Sequence, residues 1–169
     1  FTDRRQRQMC IRDRYLSIID AKTAELFRIS CFLPTIITDQ DKRTQKIFND
    51  FGFNFGMAFQ LSDDVLDYFG DSSKMGKSVG KDFFEGKVTY PVIHCFKKSD
   101  KKSKKIIAKL FFKRKRSKKD LALILDLMKK TNTYKSSIEF VGKYAEKAKT
   151  KINKFEGNKY KVYLDDLVD

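Results

Sequence analysis

A chain of 169 residues is long enough for one ordinary domain with a core of its own. Its 41% hydrophobic and 14% aromatic content excludes a disordered polymer, while two prolines, eight glycines and no β-branched run at period two argue against sheet, so an all-α protein is expected. The net charge of +15 fits either a lysine-rich solvated surface or an anionic partner such as phosphate, nucleic acid or a membrane surface. Cys10, Cys31 and Cys95 are too scattered for a disulfide framework or a zinc site and point to a reducing, cytoplasmic setting. No apolar run approaches the roughly 18 residues of a membrane span, and no signal peptide is visible.

The first fourteen residues are polar and without pattern, and Phe1 stands where a methionine is usual. They read as a non-native or disordered end, such as a mistranslated join, and the chain reads as a piece of a longer protein. From Tyr15 to about Phe32, "YLSIIDAKTAELFRISCF" has apolar residues at helical spacing and is expected to stop at Pro34. Thr38 or Asp39 is the expected cap of a long helix from about Asp41 to Phe69, in which Gly52 and Gly56, four apart, suggest close approach of another helix. "GDSSKMGKSVGKDFFEGK" (residues 70–87) is a loop by composition. Pro91 then opens a buried helix, "KKSKKIIAKLFF" forms a short basic one, and Ser117 caps "KKDLALILDLMKK". A long helix after Tyr134 and a short one in "KYKVYLDDLV" complete the chain. With no repeat and no hinge linker, one structural unit is expected.

Within the long helix, "FQLSDDVLDYFG" (residues 59–70) sets Asp63, Asp64 and Asp67 among Phe59, Leu61, Val65, Leu66 and Phe69. Asp63 and Asp67 lie one above the other, a pairing of like charges that costs about 0.2–0.5 kcal/mol. Apolar flanks bury part of this helix, and clustered buried carboxylates repel unless a cation neutralises them. Magnesium suits the pattern, because it takes one or two carboxylates and fills its shell with water and substrate phosphate; the alternative is a merely charged helix face. The following loop is not a P-loop, since five residues rather than four separate Gly70 from Gly76 and no strand precedes it. Its Lys74, Lys77, Lys81 and Lys87 suit a substrate rich in phosphate oxygens, or else simply a solvated loop. His94 reads as structural. The stretch Lys97–Lys119, roughly half lysine or arginine, reads as a solvated face before it reads as a nucleic-acid contact.

Three segments in order, "YLSIIDAKTAELFRISC", "GMAFQLSDDVLDYFGD" and "MGKSVGKDFFEGKVTYPVI", closely resemble the trans-isoprenyl diphosphate synthases, or polyprenyl synthetases, of the bacterial octaprenyl and decaprenyl type. The resemblance runs from about Tyr15 to the end and implies the C-terminal half of an all-α orthogonal bundle. It implies condensation of an allylic diphosphate with isopentenyl diphosphate, with Mg2+ as the metal. It makes Asp63, Asp64 and Asp67 the second of two aspartate-rich motifs. It assigns Lys22, Lys77 and Lys87 to the allylic diphosphate and places Thr23 and Gln60, with Lys22, at the reacting carbon. It makes the segment from Gly70 to Val88, with Gly76, Gly80 and Asp82, a lid. It also implies a homodimer in the full-length protein, a cytoplasmic location and peripheral membrane contact through a greasy product. The first aspartate motif and the residues for isopentenyl diphosphate are absent, so the chain alone is expected to be inactive. Two other readings stand beside this one: a basic helical nucleic-acid-binding module, and a non-catalytic partner subunit of a prenyl synthase. With the resemblance, no nucleic-acid partner is expected.

Overall fold

The computed structural model describes residues 2–70, 79–155 and 159–168, with side chains from residue 11 onward. Among the described residues all regular structure is helical. Helix α1 (Thr2–Ile19) runs through a π-helical turn (Asp20–Ala24) into α2 (Glu25–Ile37), and α3 (Lys42–Phe69) follows. Then come α4 (Lys81–Glu85), α5 (Tyr90–Lys98), α6 (Lys101–Phe112), α7 (Lys118–Lys130), α8 (Thr133–Ile152) and α9 (Lys161–Asp166). The polar first residues, expected to be disordered or foreign, belong to α1 from Thr2 onward.

Several boundaries differ from the sequence reading for local reasons. Pro34 lies inside α2, three residues before its end, where the ring forfeits a single helical hydrogen bond. The Thr35 hydroxyl donates to the Phe32 carbonyl and that of Thr38 to the Pro34 carbonyl, so carbonyls of this last turn gain side-chain partners. The cap of α3 is neither Thr38 nor Asp39 but Asp41, whose carboxylate accepts the Thr44 amide at 2.6 Å. Ser117 forms the expected cap of α7 as a full capping box with Asp120.

The chain divides into two compact units, not the single one expected, and the reason no linker marks them is that they interleave along the sequence. One comprises Phe1–Tyr15 and Leu61–Glu139, the other Leu16–Gln60 and Phe140–Asp169. The core of the first gathers Tyr68, Phe83, Val92, Cys95, Ile107, Leu110, Ile124, Leu127 and Met128. His94 belongs to this unit as a structural side chain: it is buried, with Nδ1 3.3 Å from the Thr133 hydroxyl, and burial, then Lys98 and Lys97, hold its pKa below the usual value.

The second unit packs Ile47 and Phe51 of α3 against Ala148 and Ile152 of α8, and Lys151 donates to Asp50 at 2.7 Å across the same pair. Here the two glycines of α3 do what their spacing suggested. A Cβ on Gly52 would stand 2.6 Å from the Phe27 carbonyl oxygen, and one on Gly56 would stand 2.6 Å from the Ala24 Cα. Only hydrogen fits where the π-helical turn and α2 cross α3.

Candidate active site

The glycine crossing positions the first part of the site. Within the second unit it brings the π-helical turn against α3, so that the Thr23 hydroxyl donates to Gln60 Oε1 at 2.7 Å. Single π-turns inside α-helices are uncommon and gather at functional sites. This one carries Lys22 exposed and Thr23 half-buried. Periodicity alone gave no sign of it, because a one-residue bulge leaves the apolar spacing on either side intact.

Along α3, Gln60 is followed at steps of three or four by Asp63, Asp64 and Asp67, which puts all four on one face of the helix. In the first unit the three aspartates meet different surroundings. Asp63 is exposed. Asp64 is only 4% exposed, and the Tyr15 hydroxyl donates to its Oδ2 at 2.5 Å. Burial, and then the Asp64 charge, push the Tyr15 pKa upward, so the phenol keeps the proton it donates. Asp67 is half-buried, and burial raises its pKa although its Oδ2 accepts the Asp82 amide at 3.1 Å. Tyr15 was missed as a site residue, since a tyrosine at the start of an apolar pattern reads as core.

The expected lid is described in part. Lys77 and Gly76 lie outside the described residues. Gly80 takes the left-handed conformation at φ +86° and donates its amide to the Asp67 carbonyl at 2.7 Å. With the Asp82 amide on the Asp67 side chain, this ties the start of α4 to the end of α3 by two hydrogen bonds. The segment is therefore not loop throughout. Phe83, wholly buried, anchors α4 to the core, a tertiary gain that overrides the glycine-rich composition. Lys87 donates to Asp82 at 3.1 Å and pairs with Glu85 at 2.6 Å, and these two carboxylates raise its pKa. Its positive charge is already matched by neighbours.

Among the described residues no three histidine, cysteine or acidic side chains converge as a metal cage. What α3 offers is narrower: Asp63 and Asp67 stacked one turn apart, with Asp64 turned to Tyr15. Two carboxylates suit a magnesium ion whose remaining ligands are water and phosphate oxygens, and do not suit a metal that requires an all-protein cage.

The described residues are helical and carry paired carboxylates on one long helix, as the resemblance to the isoprenyl diphosphate synthases implies. The Polyprenyl synthetase family profile matches residues 2–128, and the chain belongs to this family. It is 34% identical over 140 residues to heptaprenyl diphosphate synthase component 2 of Bacillus subtilis, covering 82% of this chain and 39% of that protein. The crystal structure of a decaprenyl diphosphate synthase from Rhodobacter capsulatus superposes with a TM-score of 0.86 at 32% identity, over 94% of this chain and 49% of that one. A polyprenyl synthase from Caulobacter crescentus, solved with calcium and isoprenyl diphosphate, gives 0.84 at 32% identity, over 91% and 47%. The chain thus spans less than half the length of these relatives. Its fold is that of the all-α isoprenoid synthases.

Proposed function

We propose that this chain supplies the diphosphate-binding part of a trans-prenyltransferase, which condenses an allylic diphosphate with isopentenyl diphosphate to give a longer polyprenyl diphosphate. The observation that carries the reading is the ordered face of α3, where Gln60, bonded to Thr23, is followed by Asp63, Asp64 and Asp67. Asp63 and Asp67 would hold Mg2+, which when bound supplies positive charge against the diphosphate. Asp64 positions: its bond to Tyr15 fixes the α3 face to the end of α1. Lys22, exposed on the π-turn, would add a cation to the diphosphate, as would Lys77; Lys87 would have to leave Asp82 or Glu85 to do so.

Thr23 has committed its proton to Gln60, so its oxygen lone pairs are free to face positive charge developing at the allylic carbon. The segment that follows α3 would keep water from the cation, its described part being tied to α3 where Gly80 and Asp82 donate to Asp67. A second copy of the full-length protein and a cytoplasmic setting with product-mediated membrane contact belong to the same reading. No described helix is long and apolar enough to cross a membrane.

Calorimetry with farnesyl diphosphate tests it. Binding to this chain is expected only when magnesium is present, and is expected to be lost in Asp63→Asn/Asp67→Asn. Equal binding without magnesium, or full binding by the double variant, would overturn the assignment.

A further inference from the structure

The exposed residues of α6 are Lys101, Lys102, Lys105, Lys109 and Phe112, and no others. At 100° per residue they fall within a stripe about 100° wide. The solvent side of the helix is therefore a row of lysines ending on a phenylalanine that is 88% exposed, while Ile107 and Leu110 are buried on the other side. Asp100 is the one acidic residue between Glu85 and Asp120, and its carboxylate is taken up as the α6 cap, accepting the Ser103 amide at 2.7 Å. Lys113 pairs with Asp120, and Arg116 is turned inward to the Leu110 and Phe111 carbonyls. The four lysines of the stripe pair with no carboxylate among the described residues. Lys97 and Lys98 extend the charge from α5, and Arg114, Lys115, Lys118 and Lys119 extend it into α7; all six are exposed.

Apolar surface adjoins this charge. A groove of about 820 Å³ runs beside Phe112, lined by Val88, Phe96, Ala108 and Phe111 and by Ile11 of α1. A merely solvated lysine face gives no reason for a phenylalanine at the end of the stripe. A nucleic acid would take the lysines and stack a base on Phe112, but a base is no complement for the branched and methyl side chains of Val88, Ile93, Ile107 and Ala108 that line the groove beside the phenylalanines. A lipid surface uses all three features, with lysines at anionic headgroups and Phe112 and the groove at the acyl boundary. From this we infer that the face built by α5, α6 and the start of α7 docks the protein on an anionic lipid bilayer. The inference stands apart from the prenyl-transfer reading, since neither the lysines of the stripe nor Phe112 belong to that site.

The chain contains no tryptophan, so Phe112→Trp supplies a single fluorescent reporter. The probes are phosphatidylcholine vesicles with and without phosphatidylserine, and a labelled RNA. The expected result is a blue shift of emission, with quenching by brominated acyl chains, on the phosphatidylserine vesicles alone. Changing Lys101, Lys102, Lys105 and Lys109 together to glutamine is expected to lower vesicle partitioning about six-hundredfold, at roughly fivefold for each of the four lysines, with the helical circular dichroism retained. Three results would each overturn the inference: no blue shift on anionic vesicles, partitioning unchanged in the quadruple variant, or tighter binding of the RNA than of the vesicles by the parent chain.

Discussion

Gly56 carries the sharpest single-residue consequence of this fold. In an exposed helix interior, alanine is better than glycine by about 1 kcal/mol. Here its methyl would stand 2.6 Å from the Ala24 Cα and 3.0 Å from the Phe27 Cβ, with backbone rather than a flexible chain end in the way. Overpacking of that kind costs about 1–3 kcal/mol, so the clash wins. Gly56→Ala should lower stability in urea unfolding and, by pushing the π-turn off α3, separate Thr23 from Gln60; an equal or raised midpoint would refute the close crossing. Tyr15→Phe tests the other end of the site. It removes the donor to buried Asp64 and is expected to cost about 1–3 kcal/mol in the same assay, while an exposed, dispensable Tyr15 would leave the midpoint unchanged.

At the scale of the element, the capping box of α7 makes a pH-dependent claim. The Lys113 hydrogen bond, followed by the Ser117 amide, holds the Asp120 carboxyl down at about 2. A depressed acid stabilises above its unfolded value near 3.8, and the contribution fades as pH falls through that value towards about 2. Asp120→Asn should therefore melt below the parent at pH 7, with the gap narrowing steadily in this acid window; a gap independent of pH would contradict the pairing. This cap was legible beforehand, because Ser117 precedes an apolar period with nothing to compete, and the stretch read as a short basic helix is α6 from Lys101 to Phe112, whose Asp100 cap was not foreseen. The glycine crossing was legible too, from spacing. By contrast α4, the π-turn and the end of α2 beyond Pro34 were not. Each is decided by a partner distant in sequence or by a single local hydrogen bond: Phe83 in the core, Gln60 opposite Thr23, Thr35 back to Phe32. At the site itself the aspartate pattern was plain, but its division of labour was not. Which carboxylate is buried depends on Tyr15, which lies 49 positions away.

For the molecule as a whole, each unit has a core, yet much apolar surface stays outside. Leu26, Ile29, Leu33 and Ile36 form a helical stripe along α2, with Ile37 beside it, and all are exposed; Phe59 on α3 is 52% exposed. Scattered apolar residues are ordinary, but a continuous stripe marks a surface made to be covered. The relatives are more than twice as long as the stretch they share with this chain, and polypeptide equivalent to their remaining part is the natural cover. The isolated chain should accordingly bind an apolar dye such as ANS, and lose that signal when the complementary part of a relative is added. The same addition underlies the most direct test of prenyl transfer. Radiolabelled isopentenyl diphosphate, an allylic primer and magnesium would be supplied to the chain alone, to the chain with that complementary part, and to the Asp67→Ala chain with it. Labelled polyprenyl product is expected from the second mixture only, because neutralising a departing diphosphate takes more positive charge than Lys22 and the magnesium that Asp63 and Asp67 would hold can supply. Product from the isolated chain, or undiminished product from the Asp67→Ala mixture, would contradict it.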